Sequence, residues 1–306
     1  MSRQLVLAVS DASVMLSRPF TGSTLVSDHW GLTKPEVNFL IAATTAAGFY
    51  LGSSATPFHV GWIALVRTLA GTLLVASGAA ALNQWMEYPF DARMRRTARR
   101  AIAAGRIDPT HALLFGVLLS LTGLTYMFLA VGALPSGLAL ATLVGYLGCY
   151  TPLKRKTPLC TLVGAIPGAV PPLIGWTAAR GHLDPEGWGL FLIVFLWQFP
   201  HFMSIAWMYR DDYARASYQV LPDSRTRARF VIVQTLLPIV CLLPVSVFPV
   251  RELTVSYSIG ALILGLGFLY FGAEFARQKS GHAARRLMLA SIIYLPAVLI
   301  LMILVR

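Results

Sequence analysis

The sequence predicts an all-α membrane protein, one bundle of about nine transmembrane helices, and three observations carry that expectation. Of the 306 residues, 56% are apolar and only 12% are charged, about half the charged share of a soluble domain. Apolar runs of membrane length recur along nearly the whole chain, and at ~20 residues per span they leave little for a domain outside the bilayer. The positive charges fall almost entirely on alternate connections. Together with a mean hydropathy of +0.66, this excludes a water-soluble globule and a disordered chain.

Taken in order, residues 1–33 read as a cytoplasmic tail of mixed polarity, in which Leu5–Ser10 is too short for a signal-peptide core. One transmembrane domain is expected over 34–306. Its spans run 36–54, 62–86, 111–132, 136–150, 159–179, 188–208, 230–249, 254–273 and 287–305. The third and fourth are joined by the tight stretch Gly132–Ser136, which suits an antiparallel hairpin. Of the 25 lysines and arginines, 21 lie in the tail or after spans two, four, six and eight. Arg180, Arg251 and Arg306 occupy the other face, and Arg67 sits inside span two. The positive-inside rule then puts the N-terminus in the cytoplasm and the C-terminus across the membrane, with a bacterial-type inner membrane expected. Topology accounts for the net charge of +12, and no nucleic-acid partner is needed. Cys149, Cys160 and Cys241 lie in or beside apolar runs without metal-ligand spacing, and read as core residues.

The acids are few, and they share the basic face. At the end of span two, Asn83, Glu87 and Asp91 recur at intervals of four, which brings them near one helical face. Oxygen ligands converging from one face suit Mg²⁺, which completes its shell with substrate phosphates. Arg95 and Arg96 follow as phosphate donors. A second acidic end, Arg210-Asp211-Asp212, closes span six. Adjacent helical residues point ~100° apart, so Asp212 is the preferred ligand and Asp211 the spare. Between them lies a third basic loop with Lys154 and Arg155, beside the phenol of Tyr150. Two acidic helix ends with flanking cations can hold metal against one diphosphate, and aromatic faces can shelter the allylic cation its departure leaves. The plainer alternative is interfacial acids paired with arginines that only set topology.

At these residues the chain resembles the UbiA superfamily of intramembrane prenyltransferases, and within it the members that farnesylate haem. The family pattern Asn-x3-Asp-x3-Asp is met by Asn83, Glu87 and Asp91, with Glu in the middle place, and Met94–Arg100 follows as the next motif, with Ala101 where the family has proline. More specific are Tyr150–Arg155, Gly164–Trp176, Trp197–Phe202 and Tyr209–Tyr213. The resemblance implies Mg²⁺-dependent transfer of farnesyl from farnesyl diphosphate to a vinyl group of haem B, giving haem O and diphosphate for haem A and terminal-oxidase biosynthesis. It implies Glu87, Asp91 and Asp212 as metal ligands, with Asp211 in reserve. Lys34, Arg95, Arg96, Lys154, Arg155 and Arg210 would bind diphosphate, Asn83 would support them, and Tyr150 would stabilise the cation. Implied partners are haem B, farnesyl diphosphate, membrane lipid and a haem A synthase.

Within that reading, His201 is the histidine that falls inside a span. It either contacts haem or satisfies backbone carbonyls freed by Pro200. Arg67 either meets a haem propionate or snorkels to an interface. Trp176, Trp197 and Trp207 read as packing residues. The competing functions are prenyl transfer to a quinone-type ring, on the same fold, and transport of an anionic lipid or metabolite, against which stand the one-sided charges and the lack of a visible repeat.

Overall fold

A computed structural model of the chain describes residues 22–53, 61–222, 224–247 and 255–305. The first 21 residues of the expected tail lie outside the described residues. Among the described residues every regular element is helical. In chain order they are α1 (Gly22–Leu32), α2 (Pro35–Gly52), α3 (Trp62–Asp91), α4 (Pro109–Ala130), α5 (Ala133–Leu153) and α6 (Cys160–Arg180). Next come α7 (Pro185–Met208), the short α8 (Arg210–Arg215), α9 (Ser224–Val247), α10 (Val255–Gln278) and α11 (Gly281–Val305).

Eight of these, α3 to α7 and α9 to α11, are long and apolar enough to cross a membrane, and the protein is an integral multi-pass membrane protein. The remaining expected span corresponds to α2, whose 18 residues include Glu36 and Asn38 and which packs against α3 and α6. Local chemistry sets the helix starts. Proline opens α2, α4 and α7, where a missing N–H costs nothing. Asp108 and Asp184 cap α4 and α7 by accepting backbone N–H groups of the first turn.

Lipid tails are as apolar as leucine, so close packing rather than water exclusion holds such helices together. The seam between α2 and α6 shows this most directly. A Cβ on Gly48 would lie 2.0 Å from the Pro172 carbonyl oxygen, and one on Gly175 would lie 1.9 Å from that of Thr45. Backbone touches backbone there in both directions. A larger apolar core joins α7 (Leu190, Ile193, Trp197, Met203) to α10 (Tyr257, Phe268) and α11 (Leu287, Leu295, Val298). The outward faces, among them Phe39, Leu129 and Ile293, are exposed and apolar, as lipid contact requires.

Helices alternate in direction, so the basic connections after α1, α3, α5, α7 and α10 gather at one end. The end of the expected tail is ordered there. Leu32 of α1 is fully buried with Ala81, Ile102 and Ile107. Gln84 of α3 donates to the carbonyls of Gly31 and Leu32. Arg106 clasps Asp28 through both carboxylate oxygens at 2.8–3.1 Å, a bidentate geometry. Sequence periodicity alone did not mark this helix, because its 11 residues are held by contacts made tens of residues away.

Candidate active site

The end of α3 builds the floor of the site. The helix continues through Pro89 as far as Asp91, so Asn83, Glu87 and Asp91 stack at one-turn intervals, and all three are buried. Lys34 joins α1 to α2 with φ 51°, a left-handed backbone, and its Nζ donates to Asn83 Oδ1 at 2.7 Å. Burial, with Arg100 and Lys154 adding repulsion, pushes the Lys34 ammonium down to about 7.

Opposite stands the end of α5, whose last turns over Gly145–Tyr150 widen into a π-helix. Such turns recur at functional sites. This one brings the Tyr146 and Tyr150 rings within 5.4 Å. Thr151, at the end of the π turn, accepts from Asn83 Nδ2 at 3.2 Å. One turn on, Lys154 places its Nζ 2.9 Å from Glu87 Oε1 and 4.5 Å from the Tyr150 ring centre. Gly164 of α6 leaves the room Tyr150 occupies, since a Cβ there would sit 2.4 Å from the ring.

The third wall is the connection after α7. Asp212 on α8 is buried, accepts the Arg96 backbone N–H at 3.3 Å and pairs with Arg215 one turn on. The loop that follows is tied to the end of α5 by a bond from the Gln219 N–H to the Lys154 carbonyl, 2.8 Å. Tyr218 therefore lies over Phe90, with ring centres 5.8 Å apart. Its buried hydroxyl lies toward the Glu87 carboxylate, and burial, with that carboxylate acting on it, pushes the phenol up.

Each buried carboxylate of the site thus has its own cation: Glu87 has Lys154, Asp91 has Arg100 at 2.7 Å, and Asp212 has Arg215. Among the described residues no three acidic, histidine or cysteine side chains converge as a ready-made metal cage. The donor set still fits Mg²⁺, which takes one or two carboxylates and completes its octahedron with water and substrate phosphates. Glu87 and Asp91 supply buried oxygens on one helical face, each with its cation beside it.

The structure therefore brings together Lys34, Asn83, Glu87, Asp91, Tyr150, Lys154 and Asp212. Arg96 lies beside them, with its guanidinium 5.0 Å from the Tyr209 ring. Arg155 stacks on Phe90 at 4.8 Å and Arg210 on Trp207 at 5.4 Å, while Arg95 is exposed at the rim. Asp211 is not part of the cluster; its carboxylate is 81% exposed, beside Arg210. Arg67 is also outside it, exposed on α3 and ~24 Å along the helix from Asn83 at 1.5 Å per residue. His201 lies deeper in the bundle, with Nδ1 2.8 Å from Ser291 Oγ rather than on a carbonyl freed by Pro200. Arg100, Arg215, Thr151, Tyr146 and Tyr218 had no assigned role in the sequence reading. For Arg215 the i,i+3 spacing from Asp212 was a usable signal.

The chain is similar to known proteins over most of its length. Residues 41–295 match the UbiA prenyltransferase family. The chain is 46% identical over 292 residues to the protoheme IX farnesyltransferase of Solibacter usitatus, covering 91% of this chain and 98% of that one. It is 39% identical to the enzyme of that name from Koribacter versatilis, covering 97% and 99%. Among solved structures, digeranylgeranylglyceryl phosphate synthase superimposes with a TM-score of 0.72 at 15% identity, over 91% of this chain and 97% of that one. A UbiA homolog from Archaeoglobus fulgidus, bound to GPP and Mg²⁺, gives 0.59 at 11% identity, over 90% and 99%. Since the family match runs over most of its length and the relatives span nearly all of it, the chain belongs to the UbiA prenyltransferase family.

Proposed function

We propose that this protein transfers the farnesyl group of farnesyl diphosphate to a vinyl group of haem B, releasing diphosphate and giving haem O. The acceptor is supported by the relatives named protoheme IX farnesyltransferase, which match the chain at 38–46% identity. The donor chemistry is supported by the paired charges at the mouth of the bundle. In the resting site Lys154, Arg100 and Arg215 neutralise Glu87, Asp91 and Asp212. When a diphosphate enters, those cations, with Lys34 and Arg96, turn to phosphate oxygens. Glu87, Asp91 and Asp212 would then hold Mg²⁺, which would supply Lewis-acid neutralisation of the leaving group.

The C1–O bond breaks with its electron pair leaving on diphosphate, where the lysines and arginines already stand. The allylic cation forms beside the π faces of Tyr146 and Tyr150. Its C1 bonds the terminal vinyl carbon, water adds to the other vinyl carbon, and one proton is released. Asn83, clamped between Lys34 and Thr151, keeps the floor in register. His201 is the haem-side residue in this reading. The N-terminus on the cytoplasmic side of a bacterial inner membrane fits the clustering of lysines and arginines at the site end, and a haem A synthase that takes up the product fits the chemistry.

The test is incubation of purified protein with haem B, farnesyl diphosphate and Mg²⁺, followed by mass spectrometry for farnesylated haem. Product is expected, falling at least about 100-fold in Asp91→Asn. Folded protein that farnesylates a quinone-type ring instead would overturn the haem acceptor.

A further inference from the structure

His201 is held by one residue of a different helix. Its Nδ1 is 2.8 Å from Ser291 Oγ, and that hydroxyl spends its single proton on the Met288 carbonyl at 2.6 Å. With that proton so directed, Ser291 Oγ is left to accept from His201 Nδ1–H. That pairing corresponds to the neutral Nδ1–H tautomer, with the lone pair on Nε2. The same serine also orients the neighbouring aromatic ring. Its carbonyl accepts Trp197 Nε1–H at 2.7 Å, and Trp197 stacks on the imidazole, with ring centres 4.9 Å apart and an 18° angle between planes. Ser291 and Trp197 are buried, whereas His201 is only half-buried. The imidazole therefore has its Nδ1 edge and one face fixed.

A histidine whose far nitrogen donates to a fixed acceptor is the arrangement that readies the other nitrogen for a metal. Resting on the haem reading above, we infer that Ser291 is a positioning residue that sets the His201 tautomer, so that Nε2 ligates the iron of the acceptor haem. The porphyrin is thereby held deeper in the bundle than Asp212, which lies eleven residues further along the chain, at the diphosphate end. Iron here belongs to the substrate, and its ligation orients the vinyl edge without entering the bond changes.

The test is ferrous-haem binding to the full-length protein, without farnesyl diphosphate, read by titration and by resonance Raman spectroscopy of the iron–imidazole stretch. Wild type is expected to show that band. His201→Gly should lose it and regain it on addition of imidazole. Ser291→Ala should shift the band and weaken haem binding about tenfold, while Ser291→Thr, which keeps the hydroxyl, should restore both. A His201→Gly protein that retains the band, or a Ser291→Ala protein indistinguishable from wild type, overturns the inference while leaving the acceptor reading intact. Failure of wild type to bind haem at all overturns both.

Discussion

The middle of α7 and the mouth beyond its end solve the problem of polar groups in a membrane protein differently. At the mouth, near Asp212, charge is abundant and every buried carboxylate is matched by a cation from another segment or a neighbouring turn. In the interior, around Trp197 and His201, polar atoms are few and neutral, satisfied by the hydroxyl and carbonyl of Ser291. In the proposed reaction the mouth exchanges partners, each ion pair opening toward an incoming anion and its metal. The interior is built to hold one arrangement. Removing one charge at the mouth should therefore do more harm than removing both members of a pair, while the interior should respond mainly to shape.

The largest effect is expected from Lys154→Met, which leaves Glu87 buried without its cation. The cost is about 3 kcal/mol of stability, visible as a lower melting temperature in detergent, with product formation abolished. Adding Glu87→Gln should recover much of the stability and none of the activity, which separates charge balance from chemistry. Next is Gly175→Ala, in the apolar half. Its methyl would meet the Thr45 carbonyl and force α2 away from α6, at a cost of about 2 kcal/mol on the same melting assay. Unchanged melting would show the seam to be more yielding than its geometry.

A smaller effect follows from Lys34, whose ammonium is pushed down to about 7 by burial and by Arg100 and Lys154. Only the charged form attracts diphosphate, so affinity should fall as pH rises above 7, by up to about tenfold per unit until the bound-state value is reached. Lys34→Arg, charged throughout, should flatten that slope relative to wild type in parallel titrations, which cancels the ionisation of the diphosphate itself. The smallest effects are expected at Asp211→Asn and Arg67→Gln. Both side chains lie outside the cluster, so stability should change by no more than about 0.5 kcal/mol, with turnover close to wild type.

Much of the bundle was legible in the sequence because a span is a local property: some twenty apolar residues announce themselves. The stack of Asn83, Glu87 and Asp91 was legible for the same reason, as helical spacing is local too. That Asp211 and Asp212 face different ways followed from the ~100° step between neighbours, and the structure buries Asp212 while exposing Asp211. What escaped is set by distant segments meeting. The pairing of Lys154 with Glu87 joins positions 67 residues apart, and that of His201 with Ser291 joins positions 90 apart. No periodicity reports such meetings. Arg67 stayed open between a haem propionate and an interface because depth along a helix says nothing about which way the residue faces.

The π turn at Gly145–Tyr150 has a consequence for heredity. Substitutions within it alter single side chains. Loss of one residue would close the wide turn to ordinary helical winding and leave everything beyond it in phase, because an i→i+5 turn holds one residue more than the i→i+4 turn it would become. This stretch should therefore tolerate a change of length by one residue, and an otherwise intact relative one residue shorter here would still face Thr151 to Asn83 and Lys154 to Glu87.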